Sequence, residues 1–252
     1  MIEPGQLWVL APLFFLVAAL YSSVGHGGAS GYLALFALLG VTTAAAAPLA
    51  LALNIVAAGV GFHNYRTAGH FSLPLLAPFV VTSVPFSYLG GFMAADEAFV
   101  APLLGAALLL AGVRLLVPAP AGVRKGPLLS AHRRWLSGVI GALLGLLAGM
   151  VGIGGGVFLS PLLLFLGWAD MKTTAATSAA FIVLNSVGGL LGHLSRGPLP
   201  WMPLAVLGGV VAAGAFAGSR LGASKLPPPK LRVPLAAVLL TAAVKLIMPL
   251  FR

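Results

Sequence analysis

Tyr21-Ser22-Ser23-Val24-Gly25-His26-Gly27-Gly28 and Gly149-Met150-Val151-Gly152-Ile153-Gly154-Gly155-Gly156-Val157-Phe158 carry one pattern twice, with the glycines of the second set 127 residues after those of the first. Each cluster follows a long apolar run and precedes a short one, Gly31–Val41 and Val157–Trp168. Glycine inside a helix costs about 1 kcal/mol relative to alanine and opens backbone conformations that other residues avoid. Tandem glycines before short apolar runs, at matching places, predict two broken helices.

The rest of the chain says what those helices stand in. Of 252 residues, 60% are hydrophobic and 7% charged, where a soluble domain carries roughly 25% charged residues. A water-soluble fold of this length could not hide that much apolar surface. Ten apolar segments can be read: Leu7–Val24, Gly31–Val41, Thr43–Phe62, Leu73–Ala95, Ala98–Val117, Trp135–Val151, Val157–Trp168, Thr173–Leu194, Trp201–Ala223 and Val233–Leu250. Many approach the roughly 20 residues that cross a hydrocarbon core. In lipid each must satisfy its own backbone polar groups, so the expected fold is an all-α integral membrane protein. The N-terminus carries Glu3 and no base before its first apolar run, unlike a secretory signal, so that run is expected to stay as a span. The chain has no cysteine, which excludes thiol chemistry and disulfides. Its formal charge of +10 is read as basic loops beside spans, not as a nucleic-acid surface.

The duplication extends beyond the glycines. Asn54 matches Asn185 and Gly61 matches Gly192, and Arg114 before Pro118 matches Lys245 before Pro249. The expected organisation is a first repeat over 1–117, a basic loop over 118–134 and a second repeat over 135–252. If each half crosses five times with the central loop cytoplasmic, the 14 bases divide 11 inside to 3 outside. If the two short segments only dip in and return, so that each half crosses four times, the division is 9 to 5. The positive-inside rule favours the first arrangement, in which the two repeats are inverted and both termini lie outside.

Short, glycine-interrupted segments at corresponding places in two halves point to a transporter binding site. Broken helices leave unpaired N–H groups at positive helix ends, which bind oxyanions without a cationic side chain. The candidates are Gly25, His26, Gly27 and Gly28 in the first cluster and Gly152, Gly154, Gly155 and Gly156 in the second. The competing reading of these glycines is close helix packing. Asn54 and Asn185 can serve an oxyanion, brace a broken helix or join helices. Ser22, Ser23, Thr174, Thr177, Ser178 and Ser186 are weaker candidates, because buried hydroxyls often bond their own preceding turn. All four carboxylates, Glu3, Asp96, Glu97 and Asp170, fall in termini or loops. Cation carriers usually place an acid inside the membrane, so the substrate is expected to be anionic or neutral. His26 is the titratable group best placed to carry a proton. No cofactor or metal site is expected. Arg114 and Lys245 are expected to snorkel to an interface.

Across nearly the whole chain these motifs resemble the duplicated signature of the sulfite exporter TauE/SafE family, also described as toluene-sulfonate uptake permeases. The resemblance implies a bacterial-type inner-membrane permease for sulfite, sulfonates, sulfoacetate or related sulfur oxyanions. The substrate would be a small anion, with protons as a conceivable co-substrate and membrane lipid as the surroundings. The halves differ where His26 faces Ile153 and Ala29 faces Gly156. Two other classes stay open. One is a passive anion channel. The other is an intramembrane serine hydrolase, because Gly28-Ala29-Ser30-Gly31 fits the short rhomboid signature with His63 or His193 as base.

Overall fold

The computed structural model describes residues 4–93, 97–117 and 131–224, with scattered positions between 233 and 248. Nine helices occupy the described residues: α1 (Pro4–Ser22), α2 (Ala29–Leu38), α3 (Thr43–Thr67), α4 (Leu73–Phe92), α5 (Glu97–Leu116), α6 (Ala131–Val151), α7 (Gly156–Phe165), α8 (Met171–Leu194) and α9 (Trp201–Ser224). They match the first nine apolar segments to within a few residues. Most of the expected tenth segment, Val233–Leu250, and most of the basic loop lie outside the described residues. Five helices are long and apolar enough to cross a bilayer, namely α3, α4, α6, α8 and α9. The chain is therefore a multi-pass membrane protein. At 10 residues each, α2 and α7 rise about 15 Å, half of a hydrocarbon core.

The first short helix turns back on the helix that precedes it. Phe14 of α1 stacks on Tyr32 of α2 with ring centroids 5.1 Å apart, and Ser30 bonds Tyr21. Those pairs run in opposite order along the two helices, so α1 and α2 form an antiparallel hairpin. The turn between them is made by Gly25 and Gly28 at positive φ, and its counterpart by Gly152, Gly154 and Gly155. No other residue type adopts that backbone readily, which is why glycines stand there.

The sequence-equivalent helices α3 and α8 cross at the centre. Asn54 bonds Ser186, and Leu51 lies near Gly189, so these two helices are antiparallel. Around them the packing is reciprocal. α4 lies parallel to α6, and α1 lies parallel to α9. Gly141, Gly145 and Gly149 of α6 approach the backbone of Phe79, Ser83 and Ser87 so closely that a Cβ would collide with it. Gly214, Gly218 and Gly222 of α9 meet Phe15, Ala19 and Ser23 in the same way. Each set recurs every four residues along one helix stripe. Small residues at that spacing let helix backbones approach closely in lipid, where no hydrophobic force drives helices together.

One end of the bundle is basic. Arg66 ends α3, Lys172 begins α8, and Lys172 Nζ donates to Ala223 O at the end of α9, 3.0 Å away. At the opposite end, Arg196 donates to Met93 O at 2.9 Å. Asp170 caps α8, accepting from the N–H groups of Lys172 and Thr173, each at 2.9 Å, and from the Thr173 hydroxyl. Burial favours the neutral acid, but these hydrogen bonds and nearby His70 outweigh it and hold the carboxyl below its ordinary value. A depressed folded value means the cap stabilises fully above the ordinary carboxylate range and is lost as pH falls through the folded value.

Two outcomes follow for stability. Gly145→Ala and Gly218→Ala should each cost about 1–3 kcal/mol by overpacking. Gly208→Ala, whose Cβ meets nothing within 4 Å, should be neutral or stabilise by up to about 1 kcal/mol. Thermal melting in detergent separates them. Asp170→Ala should cost about 0.5–2 kcal/mol at neutral pH, and its difference from the parent should shrink on acidification. A difference that is constant with pH would mean the carboxylate is not the cap.

Candidate functional site

Asn54 sits midway along α3 and is 1% exposed. Its Oδ1 accepts from the N–H of Ala29, the first residue of α2, at 3.1 Å. Its Nδ2 donates to Ser186 Oγ at 3.0 Å and more weakly to Ile153 O at 3.4 Å. One side chain from the first half thus holds the start of α2, the second glycine cluster and α8 together. Gly27 and Gly154 both press against it, so a Cβ at either would collide with the Asn54 amide. The two glycine clusters therefore meet at the α3/α8 crossing.

Gly25 packs against Ala175 at the start of α8, and Gly152 packs against Ala47 at the start of α3. Gly155 and Gly156 face Phe181 and Ile182. Both the broken-helix reading and the close-packing reading of these glycines describe something real. Among the described residues, the N–H groups of Gly27, Gly28, Gly154, Gly155 and Gly156 have no hydrogen-bond partner. Neither α2 nor α7 has a side-chain cap at its N-cap, Gly28 or Gly155. Unpaired N–H groups at a helix start carry partial positive charge.

The other candidates divide. His26 lies between the clusters, edge-on to Tyr21 and against the backbone of Val24 and Gly156, with Nδ1 unpartnered. Ser23 bonds back to Leu20 O, and Ser178 accepts from Ser160 across to α7. Ser22, Thr174 and Thr177 are buried with unpartnered hydroxyls. Asn185 does not repeat the role of Asn54. Its Nδ2 returns to Phe181 O of its own helix at 2.9 Å, and its Oδ1 is buried without a partner. The sequence match between the two asparagines is a match of position and not of bonding.

Sequence reasoning passed over the tyrosines. Tyr32 Oη donates to Gly27 O at 2.9 Å and Tyr65 Oη to Ser23 O at 2.6 Å, so both brace carbonyls of the first cluster. The signal was available, since a buried tyrosine needs a partner for its hydroxyl. All four tyrosines also lie in the first half. Beyond Tyr65, a cavity of about 790 Å³ opens between the basic ends of α3 and α9, lined in part by Asn64, Thr67, Arg220 and Ser224.

The hydrolase alternative fails on geometry. Ser30 Oγ donates to Tyr21 Oη at 3.1 Å, while His193 Nε2 lies 3.0 Å from Gly149 O and His63 is exposed near the end of α3. A nucleophilic serine needs a base within hydrogen-bond reach. Neither histidine supplies one.

The family model for the sulfite exporter TauE/SafE matches residues 10–246. The chain belongs to the sulfite exporter TauE/SafE family. A probable membrane transporter protein of Sinorhizobium fredii is 35% identical over 209 residues, covering 79% of this chain and 83% of the relative. A second probable membrane transporter protein, from Haemophilus influenzae, is 36% identical over 80 residues, covering 29% of this chain and 30% of that protein. No solved structure matches. As a member of this family the chain is a membrane transporter and not an enzyme.

The two asparagines should respond unequally to substitution. Asn54→Leu strands three buried partners, at about 1–3 kcal/mol for each group left unpaired. Asn185→Leu removes one bond within its own helix and an unpaired oxygen, and should cost far less. Equal losses in thermal melting would contradict the Asn54 network.

Proposed function

We propose that this TauE/SafE transporter is a secondary carrier of a small sulfur oxyanion, sulfite or an organosulfonate, bound where α2 and α7 begin. The observation that carries the reading is that both helix starts, with free N–H groups, meet at one asparagine inside the membrane. Among the described residues no carboxylate competes there: Glu97 begins α5 and Asp170 caps α8. An anion at that depth requires preorganised donors, because desolvating it otherwise costs several kcal/mol. Helix N-termini supply such donors without a buried base. The family's description supports sulfite or a related anion as the substrate class.

The proposed arrangement is two inverted repeats, 1–117 and 135–252, with the basic end of the bundle in the cytoplasm. The antiparallel sense of α3 and α8, which are equivalent in sequence, supports inversion. The gathering of Arg66, Lys172 and Arg220 at one end supports the orientation. The α1–α2 and α6–α7 pairs would be hairpins that enter and return, leaving the loop orientations those of a five-crossing half.

Uptake into proteoliposomes tests the function. Labelled sulfite or an alkylsulfonate should accumulate under a pH gradient, and His26→Gln should retain uptake while flattening its pH dependence. Absence of uptake for every sulfur oxyanion tried would refute the substrate class. Single cysteines test the topology, with Lys125→Cys labelled only from the cytoplasm and Glu97→Cys only from outside. The reverse pattern would overturn the orientation.

A further inference from the structure

The cavity at the basic end of the bundle does not reach the glycine clusters, since none of their residues lines it. Its lining includes Asn64 and Thr67 near the end of α3, and Arg220, Ala223 and Ser224 near the end of α9. Among the described residues that lining carries one base, Arg220, and no acid. Tyr65 follows Asn64 in α3 and is 2% exposed. It belongs to a buried cluster with Ala223 of α9 and with Ala175 and Ala176 of α8. Ala175 is also the residue against which Gly25 packs. One packed cluster thus runs from a wall of the cavity, Ala223, to the support of the first glycine turn, and Tyr65 is in it.

The tip of that side chain is fixed as well as its ring. Tyr65 Oη donates to Ser23 O at 2.6 Å, two residues before Gly25. Gly222 of α9 presses on the same pair, because a Cβ there would collide with both Ser23 O and Tyr65 Oη. Lys172 Nζ ties the start of α8 to Ala223 O at 3.0 Å. Four helices are therefore drawn together around one ring. A buried tyrosine needs a partner for its hydroxyl, and Tyr32 meets that need on Gly27 O. Tyr32, however, stacks on Phe14 within the α1–α2 hairpin and belongs to a different cluster. Tyr65 is placed otherwise, with a basic cavity on one side and the first glycine turn on the other. The other buried members of its cluster are all alanines, so its ring supplies the bulk.

Building on the oxyanion reading above, we infer that the cavity is the cytoplasmic mouth of the anion's route, with Arg220 drawing the anion in and Tyr65 closing the way to the helix starts. The structure holds that way shut. Opening it breaks the bond from Tyr65 Oη to Ser23 O and swings the ring away from residues too small to replace it. Arg220 acts at a distance, as an exposed fixed charge that raises the local concentration of anions.

The test uses the full-length protein in vesicles. Because the chain has no cysteine, Ser186→Cys gives a single reporter thiol beside Asn54, where both helix starts meet. The probe is the membrane-impermeant anion 2-sulfonatoethyl methanethiosulfonate, applied to the face from which Lys125→Cys is labelled. Tyr65→Phe should speed labelling of the reporter about ten-fold, the growth in open population expected from losing one buried hydrogen bond. Tyr65→Ala, which also removes the ring, should speed it further, and if that variant does not fold then Tyr65→Phe decides alone. Tyr32→Phe, the matched control, should leave the rate unchanged. Adding Arg220→Gln to Tyr65→Phe should slow the anionic probe several-fold relative to its cationic trimethylammonium analogue, and high salt should erase the difference. Reporter labelling in the otherwise unaltered chain as fast as that of Lys125→Cys overturns the inference by showing an open passage. Unchanged labelling in Tyr65→Phe overturns it too, as do equal gains in Tyr65→Phe and Tyr32→Phe, which mean general loosening. A probe ratio indifferent to Arg220 overturns the cavity as the mouth. Sulfite uptake with unchanged labelling leaves the substrate reading standing without this closure. Faster labelling in Tyr65→Phe without uptake of any sulfur oxyanion keeps the closure and removes the substrate reading.

Discussion

A helix that stops inside a membrane exposes backbone groups that lipid cannot satisfy, and the structure is arranged around that constraint. Asn54 answers it most directly. One planar amide offers an acceptor and two donor hydrogens, and all three are used: on Ala29 N–H, Ser186 Oγ and Ile153 O. Tyr32 and Tyr65 answer it for carbonyls of the first cluster. Both glycine turns thus meet at one amide, although only the first has tyrosines to hold its carbonyls. The N–H groups left over are those at the starts of α2 and α7.

The reciprocity of the packing gives those leftovers a common location. Each glycine turn packs on the central helix of the other half, Gly25 on Ala175 and Gly152 on Ala47, and α1 beside α9 has its equivalent in α6 beside α4. A pair of elements that exchange partners in this way brings equivalent points together where they cross. Here that point is the middle of α3 and α8. Exchange also makes each half incomplete alone, since the turn of one finds its support on the helix of the other.

Much of this was legible in the sequence because it depends on local chemistry. The glycine clusters before the two short runs mark positive φ, and Gly25, Gly28, Gly152, Gly154 and Gly155 adopt it, whereas Gly90-Gly91, Gly188-Gly189 and Gly208-Gly209 stay helical. Apolar length marked the helices, and the absence of acid from the apolar runs marked the character of the interior. What the sequence did not disclose depends on which helices touch. The paired asparagines suggested equal duties, yet their surroundings differ: Asn54 faces the opposite half, while Asn185 folds back onto Phe181. The stripes Gly141-Gly145-Gly149 and Gly214-Gly218-Gly222 were visible at a spacing of four. Their meaning required knowing that one faces α4 and the other α1. Ser22, Thr174 and Thr177 looked like ordinary helix hydroxyls, because no periodicity reveals whether a hydroxyl finds its own preceding carbonyl.

The placement of the two glycine stripes has a mechanical side. Interlocked side chains resist sliding, because each knob must climb out of its hole before the next can enter. A glycine stripe has no knobs. Along α6 on α4 and α9 on α1 the backbones press together with little to catch, so adhesion comes from closeness and not from interlock. Such a face holds by contact area at short range, and this molecule has one on each side of its central crossing.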